Sequence, residues 1–214
     1  MTILNKILKP QLERELEEKS DINDDLLSEK YLSNCLIENC LIEDINEERI
    51  EINGCRFINV TFKGCSCRNI DLLDVVFQNC DLSNIDFSEG SIHRTEFKSC
   101  KLVGSNFSYG NLQNVLFEEC IGRYSNFAYS KMKLINYNNS SMESSIFLEC
   151  GFNKVAFKEC NLDSSEFTNT PLKGIDFRDS DITTLSLIGH EVKDSIVSPT
   201  QAVELARLLG VIIK

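Results

Sequence analysis

Apolar side chains recur along this chain at a period that belongs to neither common secondary structure. From Leu32 to Val197 the positions whose numbers end in 2 or 7 form a series of 34, apolar throughout except at Glu47 and Gly122. All 13 Phe of the protein fall in that series. Two residues before these positions, at numbers ending in 0 or 5, small or β-branched residues dominate, among them Val75, Cys80, Thr95, Cys100, Ser105, Cys120, Ser125 and Val155. The unit [small]-x-[Leu/Phe]-x-x is legible in Cys80-Asp81-Leu82-Ser83-Asn84 and Ile85-Asp86-Phe87-Ser88-Glu89. An α-helix repeats at about 3.6 residues and a flat strand at about 2. A strict five, with two inward residues separated by an outward one, predicts a short extended step followed by a tight corner. Four such steps close a square coil of ~20 residues, which stacks on the next through main-chain hydrogen bonds.

Splitting the series by coil supports the four-sided reading. One column, Ile37, Phe57, Phe77, Phe97, Phe117, Tyr137, Phe157, Phe177 and Val197, is nearly all aromatic. A second runs through Phe87, Phe107, Phe127, Phe147 and Phe167, and the two between them are dominated by Leu, Ile and Met. These residues resemble the pentapeptide-repeat family, with its pattern A(D/N)Lxx, over roughly residues 31–197. The resemblance implies an all-β fold, a right-handed quadrilateral β-helix with a short C-terminal α-helix as cap. About eight coils at a strand spacing of ~4.8 Å make a rod roughly 40 Å long.

The ends are different material. Residues 1–30 carry no repeat and read as a helical or irregular lead-in, and Glu47 at an inward slot predicts an open or distorted first coil. Residues 198–214 form a third region. Ser198-Pro199 reads as an N-cap with Pro at the first helical position, and Gly210 as the stop. Ala202, Val203, Leu205, Ala206, Leu208 and Leu209 give an amphipathic helix, followed by a short apolar strand, Val211-Ile212-Ile213. That is more apolar surface than one small cap needs. Qnr-type and MfpA-type members of the family dimerise tail to tail through such a segment. The resemblance therefore implies a homodimer interface at Val203, Leu205, Ala206, Leu208, Leu209, Val211, Ile212 and Ile213.

Composition narrows the function. The 214 residues carry 33 acidic and 22 basic side chains, a net charge of −11. That balance argues against direct nucleic-acid binding, which needs clustered Lys and Arg, and favours a basic partner surface. No apolar run could span a membrane, and the start shows no secretory h-region, so a cytoplasmic location is expected. Nine of the ten Cys occupy small inward slots, the tenth being Cys67, and are expected as free thiols packed like small hydrophobes. Cys65-Ser66-Cys67 and the column Cys80, Cys100, Cys120 lack zinc-type spacing, so no metal is expected. With two His, His93 outward and His190 at an inward slot, and with no phosphate loop and no G-x-S-x-G, neither an enzyme nor a cofactor is expected.

Charge is uneven around the rod. The side containing Leu72 and Leu112 gathers Lys131, Lys133, Lys154 and Lys173, whereas the other three carry an excess of acids. The candidate partner-binding residues are accordingly Asp81, Asp86, Glu89, Glu96, Glu118, Glu119, Glu143, Glu149, Glu159, Asp163 and Glu166. The resemblance to Qnr and MfpA implies DNA mimicry on type II topoisomerases, gyrase or topoisomerase IV, with protection from quinolones. A scaffolding solenoid with an unrelated protein partner is the alternative, since a fold alone does not fix function. Many Qnr proteins interrupt their coils with outward loops. The register from 32 to 197 leaves no room for them, which is closer to loop-free MfpA-like or Gram-positive Qnr-like members.

Overall fold

A computed structural model describes residues 2–208 and 210–213. The corner residue explains the period of five. Positions ending in 4 and 9 adopt left-handed backbone, as at Asn79 (φ 53°), Asn84 (φ 59°) and Asn114 (φ 55°). Asn, Asp and Gly tolerate that conformation best, and they fill many of these corners. Between corners the chain is extended. Two sides of each central coil are read as one bent strand: Asp71–Gln78, Ser91–Lys98, Asn111–Glu118, Lys131–Asn138 and Gly151–Lys158. These strands pair in parallel, Asp71 on Ser91, Asn111, Lys131 and Gly151 in turn. The other two sides turn more tightly, with Ser105 N donating to Leu102 O (3.1 Å) and Gly110 N to Phe107 O (3.2 Å). A left-handed third residue, as at Gly104 and Tyr109, marks these as type II turns.

The ladder brings equivalent residues of successive coils face to face. Phe97 stacks between Phe77 (5.1 Å, 5°) and Phe117 (5.0 Å, 4°), and Phe117 on Tyr137 (4.7 Å, 5°). The opposite column stacks Phe107, Phe127 and Phe147 in the same way, and the two columns meet edge to face, Phe107 on Phe117 at 84°. Offset stacks and T-shaped pairs are the two arrangements that aromatic quadrupoles favour. Gly122 faces the Met142 thioether; a Cβ there would lie 2.7 Å from the sulfur, so any larger residue would require the Met142 side chain to shift.

Both ends must satisfy a ladder that has run out of neighbours. At the start, Glu17–Lys19 adds a parallel strand beneath Cys35–Ile37, and Ile22 and Leu26, around the helical turn Asp25–Glu29, plug the core. Glu47 sits half-buried in the first coil with its carboxylate 2.6 Å from Lys30 Nζ. At the far end Ser198 and Gln201 form a reciprocal capping box for the helix Pro199–Leu208. The Gln201 amide also donates to the carbonyls of Phe177 (2.7 Å) and Ser180 (2.8 Å).

Three expectations change at these ends. Leu205 is buried over the last coil, so it seals the core and is not free to face a second copy. Residues 211–213 form no strand; the Val211 N–H instead donates to Ala206 O at the helix end (3.0 Å). Leu209 lies outside the described residues. In the last coil His190 is exposed and Glu191 turns inward, its carboxylate accepting N–H groups of Asn169 (3.0 Å), Ile188 (3.1 Å) and Gly189 (2.7 Å). Burial opposes ionisation there, yet those donors hold the carboxyl below its ordinary range. With no further coil to bond, the N–H groups take a carboxylate instead.

Within the lead-in, residues 2–11 have no regular secondary structure and run as an extended strap. Thr2 N donates to Asp179 Oδ2 (2.8 Å), Asn5 N to Asn136 Oδ1 (2.9 Å), Leu8 N to Asn114 Oδ1 (3.1 Å) and Gln11 N to Asp74 Oδ1 (2.8 Å). Nine residues thus cross about five coils, ~24 Å, within the ~30 Å reach of extended chain. A helix over the run Glu13, Glu15, Glu17 and Glu18 would crowd like charges, and Leu12 and Leu16 give it little apolar face to bury.

One core group is anomalous. The Tyr137 hydroxyl is fully buried with no hydrogen-bond partner, and burial pushes it well above the usual phenol range. An unpaired buried hydroxyl costs about 1–3 kcal/mol. Tyr137→Phe is therefore expected to raise the urea midpoint at unchanged m-value; a lower midpoint would show that the hydroxyl is bonded in solution.

Candidate partner-binding surface

The small inward residues close off the interior chemistry. At the corners a carbonyl turns toward the core, and a side chain 23 residues on meets it. Cys100 Sγ lies 3.4 Å from Phe77 O, Cys120 Sγ 3.3 Å from Phe97 O, Ser105 Oγ 2.8 Å from Leu82 O and Ser165 Oγ 2.7 Å from Met142 O. Cys and Ser serve here because each is small and carries a donor. Burial pushes the thiols of Cys55, Cys67 and Cys120 up to about 12, so they stay protonated at neutral pH. All ten Cys are free. Among the described residues no three His, Cys, Asp or Glu converge as metal ligands would.

The outside of the rod is where the sides differ. The strap runs along the Phe77 side, from the corner at Asp74 and Asn114 to Asp176 and Asp179, and along that side Val76, Glu96, Asn136 and Ala156 are buried although they point outward. Glu96 is therefore removed from the exposed acids: its carboxylate sits 2.6 Å from Lys98 Nζ, with Oε1 unpartnered. The strap also brings Lys6 and Lys9 to this edge, beside the side that carries Lys131, Lys133, Lys154 and Lys173.

The other ten candidate acids fall into two groups. Asp81, Glu89, Glu143 and Glu159 are paired, with Lys101 (3.5 Å), Arg68 (2.6 Å), Arg123 (3.3 Å) and Lys158 (4.0 Å). Asp86, Glu118, Glu119, Glu149, Asp163 and Glu166 have no cationic partner among the described residues. Neighbouring coils aim several of them. Asn138 donates to Glu118 (3.1 Å), Ser99 to Glu119 (3.0 Å) and Thr184 to Asp163 (2.6 Å). At the C-terminal end Val203, Leu208, Val211, Ile212 and Ile213 are exposed, while Ala206 is half-buried.

Two surface features escaped the sequence reading. The strap had a faint signal in the outward slots 76, 116 and 156, which hold Val, Leu and Ala where a solvated side would be polar. Three exposed tyrosines, Tyr109, Tyr124 and Tyr129, occupy left-handed corners. The rings of Tyr109 and Tyr129 stack at 4.9 Å and 13°, and the Arg123 guanidinium lies 5.6 Å from the Tyr124 ring. Their signal was a bulky residue at positions where other coils carry Asn or Gly.

The family description "Pentapeptide repeat region" matches residues 70–145. No curated protein matches the chain by sequence. Among solved structures, QnrB1, a plasmid-mediated fluoroquinolone resistance protein, is 16% identical over 82% of this chain and 100% of its own, with a TM-score of 0.46. HetL, a pentapeptide repeat protein involved in heterocyst differentiation regulation from the cyanobacterium Nostoc sp. strain PCC 7120, is 12% identical over 78% of this chain and 86% of its own, at 0.44. A pentapeptide repeat protein from the Arabidopsis thaliana thylakoid lumen is 24% identical over 46% of this chain and 65% of its own, at 0.34.

The strap's anchors titrate. Burial opposes ionisation of Asp74, but Arg94 and the Gln11 N–H outweigh it; at Asp179 the donors are the Thr2 hydroxyl and N–H. Both carboxyls lie below the ordinary value of ~3.9, so their contribution is complete above that pH and is lost as pH falls through the folded values. Hydrogen exchange at Thr2, Leu8 and Gln11 is expected to accelerate below pH ~4, before the core strands open. Strap amides that stay protected until the whole rod unfolds would contradict this.

Proposed function

This chain is a pentapeptide-repeat protein, and from that premise we propose that it acts as a DNA mimic, binding a type II topoisomerase, gyrase or topoisomerase IV, in the cytoplasm. Binding protects the enzyme from quinolones or modulates its activity; the role is that of a binding protein, not a catalyst. The observation that carries the reading is the set of carboxylates without a cationic partner among the described residues, Asp86, Glu118, Glu119, Glu149, Asp163 and Glu166. Each side of the coil spans ~10 Å before its outward side chains, so the rod approaches duplex width. A duplex of ~40 Å carries ~24 phosphates, and residues 31–197 carry 24 acids. Fifteen bases in the same stretch leave an excess of only nine, so the mimicry is local to the unpaired acids. The resemblance of the terminal segment, Gln201-Ala202 through Ile212, to that of Qnr proteins supports the choice of enzyme class.

A two-fold enzyme suits a two-fold ligand. The exposed Val203, Leu208, Val211, Ile212 and Ile213 support a tail-to-tail homodimer in which Leu205 stays with its own core. Such a dimer would run to roughly 80 Å by the coil spacing.

Titrating the protein into gyrase supercoiling assays, with and without a fluoroquinolone, tests the reading: rescue identifies a protector and inhibition a modulator. No effect of a folded dimer in either condition would leave the scaffolding solenoid. Glu118→Lys with Glu119→Lys is expected to weaken gyrase binding by at least ~tenfold at low salt, and more than Lys131→Glu with Lys133→Glu. Equal losses would rule out an acidic contact face. Ile212→Glu is expected to give monomers by sedimentation at unchanged melting temperature, and a dimer that persists would place the interface elsewhere.

A further inference from the structure

The Tyr109–Tyr129 pair is hard to explain as part of the fold. Both residues hold left-handed backbone (φ 58° and 62°), a conformation that is an outlier for a bulky side chain. The same corner in other coils carries Asn69 and Asn169, which adopt it at less cost. Each ring is well exposed, 62% for Tyr109 and 40% for Tyr129, so the strain is not offset by burial in the core. The outward neighbours Ser108 and Ala128 are small and buried.

The corner column reads Glu89, Tyr109, Tyr129, Glu149, one residue per coil. Glu89 is already held by Arg68 at 2.6 Å. Glu149 is exposed with no cationic partner among the described residues, and its backbone stacks one coil, ~4.8 Å, beyond that of Tyr129 on the side away from Tyr109. A planar guanidinium fits that gap: it stacks on the ring and offers paired N–H donors to the carboxylate. Both halves of the contact have local precedents, Arg68 reaching Glu89 across coils and Arg123 lying over Tyr124. Lysine has a spherical, strongly hydrated charge and gains less from such a site.

We propose that Tyr129 and Glu149, backed by Tyr109, form a docking site for an arginine side chain of the protein partner. The occupant is set by charge complementarity: an exposed π-face and a free carboxylate on an acidic rod select a cation, and the planar gap selects arginine. The site rests on the reading of this protein as a binder of basic protein surfaces and assigns one corner of the rod to that contact.

Calorimetric titration of the full chain with a nona-arginine and a nona-lysine peptide at low salt tests the site. The wild type is expected to bind the arginine peptide about three- to tenfold tighter than the lysine peptide. Tyr129→Asn, which keeps or raises the melting temperature because Asn suits the corner, is expected to abolish that preference while leaving lysine-peptide binding unchanged. Tyr129→Phe keeps the preference and Glu149→Gln lowers it. Equal affinities in the wild type, or a preference that survives Tyr129→Asn, would overturn the site. Gyrase pull-down with the same variants separates the two readings. Arginine preference without gyrase binding removes the topoisomerase and keeps the site; gyrase binding that is indifferent to Tyr129→Asn keeps the topoisomerase and removes the site.

Discussion

The backbone ladder between coils is the constraint on which everything else depends. Because Asp71 pairs with Ser91 and Ser91 with Asn111, every residue lies directly over its equivalent in the next coil. Inside the rod this is rewarded, since identical rings stack at 4.7–5.1 Å. Outside it is a restriction, because like charges on adjacent strands repel. The column through Glu118 shows the result: Lys98 precedes it, and Asn138 and Lys158 follow. In the column through Glu143, Arg123 precedes it. Acids do meet on adjacent coils, as Glu51 on Asp71, but no outward column carries a carboxylate at every coil, so the net charge stays far below a duplex's and the unpaired acids matter more than the total.

The same ladder dictates the chemistry of the ends. A parallel coil has donors and acceptors on both faces, and the terminal coils lack a neighbour on one. The N-terminal side is closed by more chain, the strand Glu17–Lys19 and the plug of Ile22 and Leu26. The C-terminal side uses side chains that imitate a missing coil, Glu191 accepting N–H groups and Gln201 donating to carbonyls. Those substitutes are why the regular inward pattern fails at His190, and why Leu205 belongs to the core although it sits on the helix expected to face outward.

The interior was legible in the sequence because a ring or a small donor is needed at fixed intervals and few residue types qualify. Phe117 could be placed from its number alone. The strap was not legible for the converse reason. Its bonds come from backbone N–H groups of Thr2, Asn5, Leu8 and Gln11, which any residue but proline supplies, and most of its acceptors, Asp74, Asn114 and Asn136, look like ordinary polar outward residues of the repeat. Glu96 illustrates the cost of missing it, since an acid that looks solvent-facing by register is covered. The stacked tyrosines were visible as letters, but only the positive φ at Tyr109 and Tyr129 shows that those letters sit at the wrong kind of corner.

The strap also changes how the rod behaves as a ligand. In a simple solenoid each coil touches only its neighbours, so the ends fray independently of the middle. Here Thr2 is bonded to Asp179 and Gln11 to Asp74, and opening the last coils at Asp179 strips an anchor from a segment that runs back over the centre. Local fluctuations are thereby coupled over about five coils. A partner that reads the spacing of carboxylates along the rod would lose affinity to every ordering step made on binding. A strap confined to one side restrains the rod while leaving Tyr129 and its corner uncovered, so stiffness is obtained at the expense of that side of the surface only.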